Sequence, residues 1–363
     1  MEKLVRNEVK GMKRYIAGKP ISEVKRELGL DEVIKMASNE NPFGTSEKVK
    51  QVLRETVDST FLYPDSGNYD LRAELSRMTG RDMDSIFIGG GSDSLIKVIS
   101  STVLQPGDEI VMGVHSFSRY EDNAQLMGAV TVKSPMPDYV LDTRDMVSRI
   151  TDRTRILYIC TPNNPTGSSL GKAEIEWVLE NTPQTCLVIL DEAYTEFVTR
   201  EDSFEGLDYL DRYKNLIILR TFSKAYGMAG LRVGYGFADK TLVEYFNRVV
   251  NPFDVNLFAQ IAAVTALNDS AFLDMVTTEN AKGKNFFYSE FEKMGLPYVV
   301  TDANFILVNL LEDDMRVFQE LMKAGYIVRP GAFLGIPGFL RISISTMENN
   351  IAFMEKLKVI LGK

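Results

Sequence analysis

A largely parallel α/β sheet with helices on both faces, joined to a smaller α+β unit, is the fold class that this 363-residue sequence predicts. Three observations predict it. Between residues 86 and 237 seven short apolar runs rich in β-branched residues recur, the composition of strands buried on both faces. Segments between them carry apolar residues three to four positions apart, as Leu95, Val98, Ile99 and Val103 do, the spacing of one helix face. After Asn251-Pro252-Phe253 this alternation stops.

In order, the predicted strands cover residues 86–88, 110–112, 130–132, 156–160, 187–190, 216–219 and 233–237. Strands separated by helices pair in parallel through crossovers, which gives a seven-stranded, mostly parallel sheet. Beyond it come a long helical stretch from about 257 to 291, a strand at 305–308 and a helix near 317–324. Further strands at 327–328 and 340–344 and a C-terminal helix complete a smaller α+β domain. The expected division is an arm over 1–45, packed on the small domain or on a partner subunit, a large domain over 46–255 and a small domain over 256–363.

With 45% hydrophobic residues the chain can bury a large core. A net charge of -9 and a pI near 5.0 exclude a surface built to neutralise nucleic acid or anionic lipid. Cys160 and Cys186 lie inside apolar runs and read as buried structural thiols. His115 is the sole histidine, and no Cys/His cluster has ligand spacing, so no metal site is expected. The N-terminus lacks an apolar targeting region and no stretch reaches the length of a membrane span, from which a cytoplasmic location is expected.

Four segments carry chemistry-bearing residues. Gly89-Gly90-Gly91-Ser92-Asp93-Ser94 follows a predicted strand and opens a helix, where glycines admit a phosphate to the backbone and free N–H groups favour an anion. The same pattern equally serves as a structural turn. It lacks the spacing of a dinucleotide fingerprint, and Gly167 to Lys172 falls a residue short of a P-loop, with Ala173 where Ser or Thr is needed. Thr161 to Gly167 ends the fourth predicted strand, and an Asn before Pro favours extended backbone that projects Asn164 from the carboxyl edge of the sheet.

Asp191 closes the fifth run, with Tyr194 three residues on. An acid there is a helix cap or loop ion pair, or it holds a protonated ring nitrogen through a charge-assisted hydrogen bond. Lys224 follows the sixth run amid glycines and aromatic residues, the desolvated setting in which an amine becomes a nucleophile and proton carrier. Arg232, eight residues on, and the Ser223 hydroxyl are placed to grip one phosphate.

Together these residues resemble the histidinol-phosphate aminotransferase group of the class I/II pyridoxal-phosphate-dependent aminotransferases over nearly the whole chain. The matching motifs are Ser38 to Gly44, Tyr63-Pro64-Asp65, Gly91-Ser92-Asp93, Pro162 to Gly167, Asp191 to Tyr194, Ser223-Lys224 with Gly230-Leu231-Arg232, and Val328-Arg329-Pro330 with Leu340-Arg341-Ile342. The resemblance implies an aspartate aminotransferase-like fold, PLP fold type I, and pyridoxal 5'-phosphate held as a Schiff base on Lys224. It places Asp191 on the pyridinium nitrogen, Asn164 and Tyr194 on the ring hydroxyl, and Phe117 stacked on the ring. Gly91, Ser92, Asp93, Ser223 and Arg232 would cradle the phosphate, with Tyr63 reaching it from the other subunit of a homodimer. Arg341 would take the substrate carboxylate, and Tyr15, Asn41 and Arg329 would complete the substrate site. Lys224, Asp191 and Tyr194 are the implied catalytic residues.

The implied activity is ping-pong transamination between histidinol phosphate and 2-oxoglutarate, a step of histidine biosynthesis. Compared with the family pattern, Gly90 stands where Asn is common, Ser94 where an acid is common, Phe117 where Tyr is common and Ala17 where Pro is usual. The alternatives are an aromatic amino-acid aminotransferase and a threonine-phosphate decarboxylase. The run Ala225 to Gly230 disfavours the decarboxylase. A non-catalytic ligand-sensing protein on the same fold needs none of Lys224, Asp191, Asn164, Tyr194 and Arg232.

Overall fold

The computed structural model describes residues 1–12, 14 and 18–363. The seven predicted runs are strands β1 Ile86–Gly89, β2 Glu109–Gly113, β3 Val130–Ser134, β4 Thr154–Cys160, β5 Leu187–Asp191, β6 Leu216–Thr221 and β7 Gly234–Phe237. They form one sheet in the order β1-β7-β6-β5-β4-β2-β3. All neighbours are parallel except β7, which runs antiparallel to both β6 and β1. The connection from β6 to β7 carries only the single turn Ala229–Leu231, with no crossover helix, so the chain doubles back.

Within the apolar runs, alternate residues serve opposite faces. Leu157, Ile159, Val188, Leu190 and Ile218 pack into one core layer. Ile156, Tyr158, Ile189, Ile217 and Leu219 pack into the other. Each strand is therefore apolar throughout because helices cover both faces. Complete burial of each such Leu or Ile contributes about 1.5–3 kcal/mol.

The second unit is an antiparallel sheet of β8 Tyr298–Val299, β9 Phe305–Asn309, β10 Arg329–Pro330 and β11 Phe339–Ser343, in the order β10-β11-β9-β8. Phe287, Phe291, Ile306, Val308, Leu340, Ile342 and Phe353 form its core. Ile34–Lys35 pairs in parallel with Tyr326–Ile327 and ties the end of the arm to this unit.

Two features differ from the sequence-based expectation. The helical stretch from 257 to 291 is two helices, Leu257–Leu267 and Ser270–Met294, interrupted at Asn268 and Asp269. Asn268 donates to Glu74 at 2.8 Å and Asp269 accepts from Lys48 at 2.8 Å, so polar side chains fix the break. Through Ala259, Ala262, Ala263 and Ala266 the first of these helices packs on Val49, Leu71 and Leu75, in the core of the large sheet. The start of the arm also meets the large sheet's layer: Arg6 donates to the Leu126 carbonyl at 2.9 Å, and Gln125 to the Glu8 carbonyl at 3.3 Å.

The carboxyl ends of β4, β5 and β6 bring Cys160, Asp191 and Thr221 to one edge, and the loop after β6 crosses in front of them. The turn at 41–45 clamps that loop: Asn41 donates to the Ala225 carbonyl at 2.8 Å and Thr45 to the Tyr226 carbonyl at 3.3 Å. Gly227 makes the contact possible, since its φ is +69° and an added Cβ would lie 1.8 Å from the Gly44 carbonyl oxygen. Gly227→Ala is expected to lower the urea unfolding free energy by about 2–4 kcal/mol, combining left-handed strain with backbone collision. Gly230→Ala, where a Cβ meets nothing within 4 Å, is the control and should stay within about 0.5 kcal/mol of wild type.

Candidate active site

Lys224 enters a cavity of about 240 Å³ at the carboxyl edge of the sheet. Its approach is set by the preceding residues: buried Phe222 anchors the chain, and the Thr221 hydroxyl accepts from the Ser223 amide at 3.1 Å while donating to the Ser223 hydroxyl at 3.0 Å. Lys224 Nζ donates to the Ser38 carbonyl at 3.2 Å and lies 5.6 Å from the centre of the Tyr194 ring. Burial, reinforced by the nearby Arg341 cation, brings its pKa down to about 8 against the pull of Glu40 and Asp93. An amine so poised loses its proton near neutrality and becomes a nucleophile.

Asp191, only 3% exposed, ends β5 on the opposite wall. The Tyr120 hydroxyl donates to Oδ2 at 2.6 Å and the Ala193 amide to Oδ1 at 3.2 Å. Burial pushes the carboxyl up to about 6 even though both bonds favour its ionised form. A cationic ligand beside it would restore the anion.

The Tyr194 hydroxyl accepts from Asn39 Nδ2 at 3.0 Å and from Asn164 Nδ2 at 3.3 Å, and burial raises its pKa far above the ordinary phenol range. Asn164 in turn accepts from Arg341 Nη1 at 2.6 Å. Phe117 lines the same cavity.

The anion end lies where Gly91 caps the helix Ser92–Val103. Gly91 has a φ of +88°, and an added Cβ would sit 2.4 Å from Arg232 Nη2, so the guanidinium lies directly against the glycine turn. Arg232 donates to the Ser223 hydroxyl at 3.3 Å and to the Gly90 carbonyl at 3.4 Å. Asp254 holds the turn by accepting from the Gly90 amide at 2.7 Å and the Ser94 hydroxyl at 2.8 Å. Asp93 lines the same cavity, with its carboxylate facing Arg119 Nε at 4.0 Å. Only its backbone N–H, at the helix start, suits an anion.

A larger cleft of about 620 Å³ shares Phe117, Asn164 and its wall with this cavity and is lined by Arg329 and Arg341. These arginines are directly opposed on antiparallel β10 and β11 and are 8% and 7% exposed. Arg341 is held by donating to Asn164 and to the Ala37 carbonyl, and the two cations together suit a ligand anion in this cleft. Asn41, expected at the substrate, lines neither of these two cavities. Its amide donates to Ala225 and its carbonyl accepts from the Phe43 amide at 2.9 Å, both in the service of the loop clamp.

Tyr63 is 81% exposed and stacks on Phe253 at 4.6 Å, outside the cavity of its own chain. Tyr15 lies outside the described residues. Sequence reasoning missed Tyr120, Asn39, Ser38 and Glu40, all of which touch the site. The last three sit in the motif Ser38 to Gly44, and Tyr120 is three residues after Phe117, in the first turn of the helix Arg119–Leu126.

The arrangement suits a planar ligand with a cationic ring, a group that reacts with an amine and an anionic tail. A family model described as aminotransferase class I and II matches residues 31–357. The chain belongs to this family. It is 46% identical over 358 residues to a histidinol-phosphate aminotransferase of Moorella thermoacetica, covering 98% of this chain and 93% of the relative. The crystal structure of histidinol-phosphate aminotransferase from Sinorhizobium meliloti in complex with pyridoxal-5'-phosphate superposes with a TM-score of 0.90 at 25% identity, over 99% of this chain and 97% of that one. A double mutant of aspartate aminotransferase from Thermus thermophilus shares the fold, with a TM-score of 0.84 at 22% identity over 98% and 99% of the two chains. The fold is therefore aspartate aminotransferase-like, as the seven-stranded sheet and its covering helices indicate.

In this aminotransferase the lowered Lys224 pKa is also a statement about stability. The folded value of about 8 lies below the ordinary 10.5, so the folded state disfavours the charged amine. The cost is fully present below pH 8 and disappears as the pH rises from 8 to 10.5. Lys224→Met in cofactor-free protein is expected to gain roughly 2–3 kcal/mol at pH 7. Thermal melts should show that gain shrinking toward pH 10.5, and a gain independent of pH would contradict the burial cost.

Proposed function

We infer that this chain transfers the amino group of histidinol phosphate to 2-oxoglutarate with pyridoxal 5'-phosphate as cofactor, a transamination of histidine biosynthesis. The observation that carries the reading is the placement of the Lys224 cavity beside the opposed pair Arg329 and Arg341, which share the wall at Asn164. The residues suit the cofactor on their own chemistry. Asp191 is a buried acid for the ring nitrogen, Tyr194 and Asn164 face the ring hydroxyl, and Phe117 offers a stacking face. The backbone of Gly91, Ser92 and Asp93, with Ser223 and Arg232, receives the phosphate.

Bound pyridoxal phosphate supplies an electron sink for the pair released when a substrate Cα–H bond breaks. Lys224 would hold it through Nζ, and the same amine would take the proton from the substrate α-carbon and give it back to the substrate side. The Asp191 carboxylate would stand against the ring nitrogen and favour its protonated form. Arg341 grips the carboxylate of glutamate, and Arg329, with Tyr15 of the arm, receives the phosphate of histidinol phosphate. Asp191 is buried and Lys224 partly so, which limits the water around the groups that move protons.

The assembly proposed is a homodimer in which Tyr63 serves the neighbouring site. Phe61 is 82% exposed beside it, and Arg232 leaves the phosphate end of the cavity open toward solvent. A two-fold pair is the common way to complete such a site. The large domain is best divided from the small one after residue 267, not 255, because the helix Leu257–Leu267 packs in the large-sheet core. A cytoplasmic location is proposed, and among the described residues no helix is long and apolar enough to cross a membrane.

Specificity constants test the reading. A site that offers two buried cations to a phosphate should favour histidinol phosphate over histidinol by roughly 30- to several-thousand-fold. Arg329→Ala should narrow the gap by harming only the ester. Phenylalanine or tyrosine matching histidinol phosphate would replace this reading with an aromatic aminotransferase, and carbon dioxide release from threonine phosphate with a decarboxylase.

A further inference from the structure

We propose that Tyr120 is a positioning residue for the reaction: its buried hydroxyl fixes the Asp191 carboxylate, in orientation and in ionised form, for the cofactor's ring nitrogen. The inference rests on the preceding reading, in which that nitrogen faces Asp191.

The hydroxyl is held by its packing, with Asp191 and the buried Cys160 thiol as its neighbours. Tyr120 is 0% exposed on the helix Arg119–Leu126, and its ring is stacked on Tyr158 at 4.1 Å with an interplanar angle of 11°. Phe117 meets it edge-on at 5.7 Å and 83°. Ring packing alone would be served by phenylalanine, and a buried hydroxyl costs stability unless it is bonded. Its bond is the 2.6 Å contact to Asp191 Oδ2, the length of a hydrogen bond to an ionised acceptor.

The segment is also anchored to the rest of the site. Ser116 donates to Asn163 Oδ1 at 2.7 Å, and Asn163 Nδ2 donates to the His115 carbonyl at 2.8 Å, next to Asn164. One short stretch thus supplies both the ring of Phe117, against the cofactor plane, and the donor that orients the acid. Around Asp191 stand Tyr158 and Cys160 of β4, Asp93 of the helix Ser92–Val103, Tyr194, Lys224 and Tyr120. Lys224 is the cation of this group and gives its hydrogen bond to Ser38. Asp93 opposes ionisation of Asp191. Losing the Tyr120 hydroxyl leaves the buried carboxylate with the single amide donor of Ala193, which shifts it further toward its protonated form.

The test uses the cofactor-loaded enzyme. Tyr120→Phe keeps the stacked ring and should lower kcat/KM by about 10- to 100-fold, the worth of a hydrogen bond to a charged group. The pH midpoint of the absorption change of the cofactor on Lys224 should move upward by about half a unit or more, since a less protonated ring draws less charge from the lysine nitrogen. In an Asp191→Asn background the same change should alter kcat/KM by less than about twofold, because Tyr120 acts through Asp191. Incorporating 3-fluorotyrosine at position 120, a more acidic donor of nearly the same shape, should move the midpoint downward and serves if Tyr120→Phe does not fold. A loaded Tyr120→Phe enzyme with wild-type kcat/KM and wild-type midpoint overturns this inference alone, as does a loss undiminished by Asp191→Asn, which marks a packing role. Wild-type protein that carries no cofactor on Lys224 overturns both this inference and the function it rests on.

Discussion

Two ionisable groups, one buried and one partly buried, at the ends of neighbouring parallel strands set the terms for the whole site. Asp191 closes β5 and Lys224 follows β6, and each spends its hydrogen bonds elsewhere, the acid on Tyr120 and Ala193, the amine on Ser38. Burial drives the acid up to about 6 and the amine down to about 8, so both titrate close to neutrality. Such poise costs folding free energy and is useful only for chemistry that moves protons. A ligand with a cationic ring nitrogen beside Asp191 and a carbonyl for Lys224 relieves both costs at once.

The sheet makes that arrangement possible. Parallel strands carry all their carboxyl ends to one edge, and β4, β5 and β6 deliver Asn164, Asp191 and Lys224 there from separate loops. The return strand β7 runs the other way, so the loop before it brings Arg232 back to the glycine turn that follows β1. The small sheet adds what the large one lacks, a pair of opposed arginines facing the same opening.

The strands were legible because each is a continuous apolar run, and continuity over four to seven residues needs two covered faces. The reversal of β7 was not, since direction depends on where the chain can turn, and its apolar run looks like its neighbours'. Asn268 and Asp269 carry polar side chains that end one helix and precede the next, a signal present in the sequence but outweighed by the apolar period on either side. Lys224, Asp191, Asn164 and Tyr194 stood out as chemistry-bearing residues at strand ends. Tyr120 and Asn39 did not, because a tyrosine on a helix and an asparagine in a loop announce their partners only once the chain is folded. Asn41 entered the expected site only through the resemblance, and its bonds to Ala225 and Phe43 became visible only in the fold.

The most direct measurement is chemical. Purified protein loaded with pyridoxal phosphate is reduced with borohydride, digested and mapped by mass, with Lys224→Ala as the control. The expected result is a single phosphopyridoxyl adduct on the peptide that contains Lys224, absent from the control, because this lysine combines a pKa near 8 with the anion cradle of Gly91 and Arg232. An adduct on a different lysine, or none on any, contradicts it.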